Sequence, residues 1–105
     1  MKVLTREASK ILPHIKNTAV IAMDVKGLRF NSERFSEILK KYFESNKDIT
    51  FVVGGSLGLG KDVLDMADMR LSMSEMTFPH QMARVMLIEQ IYRAFKIIGN
   101  ETYHK

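Results

Sequence analysis

The sequence contains no cysteine. Disulfide scaffolds, thiolate zinc sites and cysteine nucleophiles are therefore excluded. No uninterrupted apolar stretch reaches the length of a membrane span, and the first ten residues, MKVLTREASK, lack the apolar centre of a signal peptide. We therefore expect a cytoplasmic protein in a reducing compartment, with no membrane partner.

The composition is that of an ordinary globular domain. Hydrophobic residues make up 46% and charged residues 27% of the 105 residues, which excludes a disordered or collagen-like chain. A chain of this length can bury roughly two thirds of its unfolded surface in a single core. The net charge of +4 permits nucleic acid as a partner without requiring it. Eight methionines is a high count, and we expect these side chains to lie in the core.

Segments typical of strands and helices alternate along the chain. Apolar runs predict strands at residues 18–24 and 48–53, and a third, shorter strand at 70–74. Helical spacing predicts helices over 3–15, from Asn31 or Ser32 to about 45, over 61–67 and from Pro79 to about 98, with a turn at 26–28. This alternation predicts one α/β domain over residues 1–105, with a mainly parallel sheet flanked by helices.

The last predicted helix has apolar residues at every angle around its axis. A domain this small cannot cover such a helix on all sides, so we expect a partner subunit. Three charged residues, Arg84, Glu89 and Arg93, interrupt its apolar surface. They are compatible either with ion pairs or with a solvated cleft.

The strand ends indicate where a ligand would bind. Asp24, Gly54 and Ser74 lie at or just past three predicted strand ends, which is where ligands bind in parallel sheets. The segment GGSLGLG, which begins at Gly54, is compatible with close backbone approach to a ligand or with a sharp turn. Its glycine spacing matches neither a dinucleotide-binding nor a phosphate-binding loop.

The segment SMSEMTFPH at residues 72–80 mixes apolar side chains with hydroxyls. This mixture suits an adenine-like ligand held by backbone groups between apolar walls. The alternative is a packed connection in which Thr77 caps the last helix and Pro79 lies in its first turn. The three histidines, His14, His80 and His104, are scattered along the chain, and we expect no metal site.

Longer motifs resemble a known family. The runs FVVGGSLGLGKDVL and LSMSEMTFPHQMARVMLIEQIYRAFKIIGNETYHK, preceded by VIAMDVKG, closely resemble the bacterial ribosomal RNA large-subunit methyltransferase H family of the SPOUT class. The resemblance covers essentially the whole chain. It implies a C-terminal deep trefoil knot and a homodimer with its site between the protomers. It also implies S-adenosylmethionine-dependent methylation of N3 of a pseudouridine in 23S rRNA of the assembled ribosome, without DNA as a partner.

Members of that family are usually about half as long again and begin with a βα unit and further helix, a segment that is absent here. The alternative function is therefore a catalytically impaired or inactive minimal knotted dimer, which at most binds S-adenosylmethionine.

The resemblance also implies site residues. S-adenosylmethionine would lie against three loops, which carry Met23, Gly54, Gly55, Met73, Ser74, Glu75, Met76, Thr77 and Phe78. The candidates for catalysis or RNA handling are His80, Arg84, Tyr103, His104 and Lys105. Because N3 of a uridine-type base carries a proton, the reaction needs a base, and His80 and His104 are both candidates.

Overall fold

The computed structural model describes residues 1–5, 15, 17–54, 59–74 and 76–99. Four strands lie within these ranges: Lys2–Thr5 (β1), Ala19–Arg29 (β2), Ile49–Val53 (β3) and Met69–Ser72 (β4). Three helices alternate with the later strands: Ser32–Glu44 (α1), Lys61–Met66 (α2) and His80–Ile98 (α3). The strands form one sheet in the order β1-β3-β2-β4, and every neighbouring pair is parallel. The predicted α/β architecture is confirmed.

Hydrophobic clusters cover both faces of the sheet. On one face, α1 and α3 pack against the strands around Phe35, Phe51 and Leu87, all of which are fully buried. On the other face, Val63 of α2 packs with Val20 and Val52 in a smaller cluster. All five residues of β3 are buried, because this strand lies inside the sheet and is covered on both faces. The apolar run DITFVV in the sequence reflects this position.

Residues Lys2–Thr5 form a strand, so the helix predicted over residues 3–15 is wrong at its start. β1 pairs with β3 from Lys2 opposite Thr50 to Thr5 opposite Val53. Val3 packs against the larger cluster and Leu4 against the smaller one, so successive side chains point to opposite faces, as in any strand. Residues 2–5 therefore form a strand because they pair with the side of β3 that β2 does not occupy, even though their apolar residues have helical spacing. Residues 6–14 lie outside the described ranges.

The turn predicted at residues 26–28 is also wrong, because β2 continues to Arg29. Its pairing with β4 shifts register: Met23 and Leu28 both lie opposite Leu71. An ideal Cβ at Gly27 would lie 2.7 Å from the carbonyl carbon of Arg70. Gly27 therefore allows close approach of two strands at an irregular stretch, a common role of glycine within a strand.

Caps define both ends of α1, and the N-cap is Asn31, one of the two residues that the sequence predicts. The Asn31 side chain accepts a hydrogen bond from the Arg34 backbone N–H at 2.8 Å. At the other end, Asn46 has φ 60°, and the Lys47 N–H donates to the Tyr42 carbonyl at 3.1 Å. This is a Schellman arrangement with asparagine at the left-handed position.

α3 begins within one residue of its predicted start at Pro79. Pro79 is the N-cap and His80 the first helical residue, so the alternative with Thr77 as the cap is wrong. Near its middle, α3 is held against α1 by a 2.8 Å hydrogen bond from the Ser32 hydroxyl to Gln90 Oε1. Further along, the rings of Phe43 and Phe95 stack with centroids 5.3 Å apart. These contacts place the start of α3 beside the carboxyl ends of the strands.

Candidate active site

A cleft of about 220 Å³ lies at the carboxyl ends of β2, β3 and β4. Met23 and Val53, the last pair between β2 and β3, line it together with Leu71, which lies opposite Met23 on β4. The first turn of α3 closes the cleft with His80 and Ala83. Parallel sheets present diverging loops at this edge, and a ligand can reach backbone groups there without breaking the sheet.

The cleft brings together predicted residues from all three loops. Those of the donor set that the structure describes all line it: Met23, Gly54, Met73, Ser74, Met76, Thr77 and Phe78. Gly55 and Glu75 lie outside the described ranges, as do Tyr103, His104 and Lys105. The role of the seven lining residues in donor binding stays a prediction, but their proximity to one another is a property of the fold.

The two described catalytic candidates are placed differently. His80 lines the cleft. Arg84, one turn further along α3, is exposed and does not line it. The structure therefore brings His80, but not Arg84, next to the predicted donor residues of the same chain.

Side-chain hydroxyls hold the loop after β4 in shape. The Ser72 hydroxyl donates to the Ser74 carbonyl at 2.9 Å, and the Ser74 hydroxyl accepts from the Met76 N–H at 3.0 Å. Met76 is left 70% exposed at the cleft. A packed connection would bury this side chain, so its exposure favours the ligand-loop interpretation of the segment. Exposed Met1, Met66 and Met82 likewise show that the expectation of a purely core role for methionine is wrong.

Sequence reasoning left several lining residues out of the donor set, and Asp24 is the one with distinct chemistry. It is the first residue of β2 after Met23, where pairing with β3 ends, and it is partly buried. Its position as the polar end of an apolar run was the available signal. The others are mostly apolar wall residues: Val25, Val53, Leu59, Leu71, Ser72 and Ala83.

Among the described residues, the side chains with a shifted pKa lie near the amino ends of the strands, at the end of the sheet opposite the cleft. Burial raises the pKa of Tyr42, and the nearby charge of Asp68 adds to this effect. A hydrogen bond with the N-terminal ammonium, 2.7 Å away, lowers the pKa of Asp48, which also accepts from the Ile49 N–H. These two pKa shifts therefore concern residues at the end of the sheet opposite the cleft.

The residues that the structure describes contain no group of three or more side chains suited to hold a metal ion. None of their helices combines the length and the apolar character needed to cross a membrane.

One face of α3 is apolar and exposed. Val85, Ile88, Tyr92 and Phe95 are each about half exposed or more, and their spacing places them in one stripe along the helix. The opposite face, with Leu87, Ile91 and Ala94, is buried in the core.

The charged residues that interrupt α3 differ in their partners. Arg93 pairs with Glu89 at 2.8 Å, so for these two the ion-pair interpretation holds. Arg84 forms no ion pair with any residue in the described ranges.

Comparisons with known proteins agree with this geometry. The family profile described as "Predicted SPOUT methyltransferase" matches residues 1–104. A protein named ribosomal RNA large subunit methyltransferase H from Acetivibrio thermocellus is 47% identical over 106 residues, which cover 99% of this chain and 67% of that protein. Ribosomal RNA large subunit methyltransferase H 1 of Clostridium perfringens is 52% identical over 111 residues, covering 100% and 67%. A Clostridium botulinum protein with the first name is 54% identical over 102 residues, covering 95% and 64%.

Proposed function

This chain belongs to the SPOUT methyltransferase family, and from this premise we propose that it transfers the methyl group of S-adenosylmethionine to N3 of a pseudouridine in 23S rRNA of the assembled ribosome. The observation that carries the proposal is the cleft at the carboxyl edge of the sheet, where three strand-end loops meet. The names of the relatives support ribosomal RNA as the substrate. The pseudouridine and its N3 atom come from the sequence resemblance.

The chemistry of the cleft suits the methyl donor. Met73, Met76 and Phe78 provide apolar surface for an adenine ring, and the Ser74 and Thr77 hydroxyls lie beside them. Such a combination of apolar walls with few polar groups is typical of sites for nucleoside-like ligands. S-adenosylmethionine would supply an electrophilic methyl group at a sulfonium. The loops bind and orient it, and the apolar walls exclude water from the reacting centre.

A second subunit belongs to the proposal. The exposed apolar stripe of α3 supports a homodimer through this helix. We place Arg84, Tyr103, His104 and Lys105 at the composite site, where cationic groups position RNA through its phosphates. The C-terminal trefoil knot is proposed on the same family grounds.

The reaction requires a proton acceptor. His80 lies in the wall of the cleft, and an imidazole can accept the N3 proton near neutral pH. His104 is the other candidate. The modest net charge of +4 favours docking on a folded RNA surface by shape over a broad electrostatic attraction. A cytoplasmic location accords with ribosomes as the substrate.

Two measurements test the proposal. Labelled S-adenosylmethionine is titrated against the chain by calorimetry, and methyl transfer is measured on ribosomes that lack this modification, with digestion of the 23S rRNA to identify the methylated nucleoside. We expect saturable binding and a single 3-methylpseudouridine. Binding without transfer would favour the second candidate, a catalytically impaired knotted dimer core, which is motivated by coverage of only about two thirds of the relatives' length. Absence of donor binding would refute the proposed methyl transfer and leave only the inactive form of the second candidate.

A further inference from the structure

Asp24 brings a carboxylate into a cleft that is otherwise apolar or uncharged. Among the described lining residues only Asp24 and His80 have titratable side chains, and only Asp24 is acidic. It follows Met23, which pairs with Val53 on one side and Leu71 on the other. Its backbone therefore leaves the regular part of the sheet at the point where the loops diverge, directly beside the predicted donor residues.

The Asp24 carboxylate forms no hydrogen bond or ion pair with a partner in the described part of the chain. The residue as a whole is partly buried, whereas Val25 and Lys26, which follow it, are exposed. A carboxylate without a partner gains free energy when a cation or a strong hydrogen-bond donor approaches it. Structural carboxylates of this fold do have partners: Asp68, for example, accepts from the Val20 N–H at 2.7 Å. Asp24 is thus available to a ligand.

We propose that Asp24 binds positive charge on the methyl donor, an assignment that rests on the proposed function. S-adenosylmethionine carries two cationic groups, the sulfonium and the α-ammonium, and the described walls of the cleft offer no other anion to either. An attraction to the sulfonium would have a further consequence. Transfer of the methyl group turns this cation into a neutral thioether, so the carboxylate would hold the substrate more tightly than the product S-adenosylhomocysteine and would favour product release.

Three ligands separate the sources of the attraction. S-adenosylmethionine has both cationic groups, S-adenosylhomocysteine has only the ammonium, and 5′-methylthioadenosine has neither while keeping the adenine and ribose. The test compares their affinities by calorimetry for the unsubstituted chain and for Asp24→Asn, which retains shape and hydrogen-bonding capacity but removes the charge. Glu44→Gln is the matched control, because it makes the same charge change at an exposed residue in the last turn of α1.

We expect Asp24→Asn to weaken S-adenosylmethionine binding roughly 10- to 100-fold, the range for loss of a charge-assisted contact. The affinity for 5′-methylthioadenosine should change by less than about threefold. If the affinity for S-adenosylhomocysteine falls as much as that for S-adenosylmethionine, the ammonium is the bound group. If the affinity for S-adenosylhomocysteine does not change, the sulfonium is the bound group. Glu44→Gln should change none of the three affinities.

Other outcomes overturn the assignment. An equal loss of affinity for all three ligands would mean that Asp24 contacts the ribose or supports the loop. An unchanged S-adenosylmethionine affinity combined with lost methyl transfer would mean that Asp24 serves proton transfer or the RNA instead. An unsubstituted chain that binds none of the ligands would refute the proposed function itself, and this assignment with it.

Discussion

At the scale of single residues, Gly27 and Asp68 each fix the position of β4 relative to β2, at opposite ends of this strand pair. Gly27 permits β4 to approach β2 closely at the cleft end of the sheet. At the other end of the same strand pair, the Asp68 N–H donates to the Val20 carbonyl at 2.8 Å, and its carboxylate accepts from the Val20 N–H at 2.7 Å. Both residues act through the backbone of a neighbouring strand, so their loss should be visible in stability.

The first prediction concerns Gly27→Ala. The new Cβ would lie 2.7 Å from the Arg70 carbonyl carbon and 2.9 Å from that of Leu71, so β4 would have to move. We expect a loss of about 1–3 kcal/mol in the free energy of unfolding, measured by urea denaturation. Donor affinity should fall as well, because the loop after β4 lines the cleft. The neighbouring exposed change Lys26→Ala should stay within about 0.5 kcal/mol. Equal stability of the two variants would show that the strands adjust freely.

The second prediction concerns Asp68→Ala. Removal of the carboxylate leaves the N–H of Val20, a residue only 4% exposed, without its acceptor. An unsatisfied buried donor costs about 1–3 kcal/mol, and we expect this loss in chemical denaturation. Glu44→Ala, at an exposed residue, should be close to neutral. If both variants unfold at the same urea concentration, water must replace the lost acceptor at Val20.

At the scale of elements, α3 divides into a face that completes the core and a face that has no cover within the described chain. Ile91 lies on the first face at 8% exposure, whereas Val85 lies on the second at 66%. A charge at Ile91 would therefore test the core of one subunit as much as an interface. A charge at Phe95 would also disturb packing within one subunit, because the Phe95 ring stacks on Phe43 of α1.

The third prediction uses Val85→Glu to test the homodimer. The unsubstituted chain should sediment at twice its monomer mass of 12.1 kDa, and the variant should sediment as a folded monomer, because a carboxylate is costly to bury at an apolar interface. Lys40→Glu, which introduces a carboxylate at an exposed residue of α1, is the control and should remain dimeric. A monomeric unsubstituted chain at micromolar concentration would contradict the proposed dimer.

At the scale of the whole molecule, the question is whether one chain makes a complete site. The cleft unites His80 with the donor residues of the same chain, but Arg84 is exposed outside it. The terminal residues Tyr103, His104 and Lys105 offer a stacking ring, a titratable nitrogen and a phosphate partner. This combination suits contact with RNA, and a role at a shared site is the prediction.

The fourth prediction is that this tail acts on the partner's site. Deletion of residues 103–105 should preserve the dimer and donor affinity but strongly reduce methyl transfer. Mixed dimers sharpen the test: one subunit carries Gly55→Val, which should block the donor loop, and the other lacks the tail. If the tail crosses the interface, the blocked subunit supplies it to the intact loop and activity returns. No recovery, with both parent variants folded, would place the tail in its own subunit's site.

Much of this protein could be predicted from local sequence patterns. The apolar runs of β2 and β3, the N-cap of α1 and the glycine-rich and SMSEMTFPH segments all depend on neighbours within a few residues. Because parallel strands end at the same edge of a sheet, the order of these segments also predicts that their loops meet. The family was accessible for a related reason: its motifs are contiguous stretches of sequence.

Only the tertiary structure decided the features that depend on distant residues. The edge strand at Lys2–Thr5 exists because one side of β3 is otherwise unpaired. The helical spacing of the segment gives no information about β3. Gly27 indicates a turn when considered alone and proves to be the contact point of β4. The same holds for α3, whose apolar residues are divided into a buried and an exposed face by the position of α1 and the sheet. Periodicity reflects the conformational preference of one segment. Strand pairing, burial and the exposure of Asp24 to the cleft depend instead on which other segments pack against that segment in the fold.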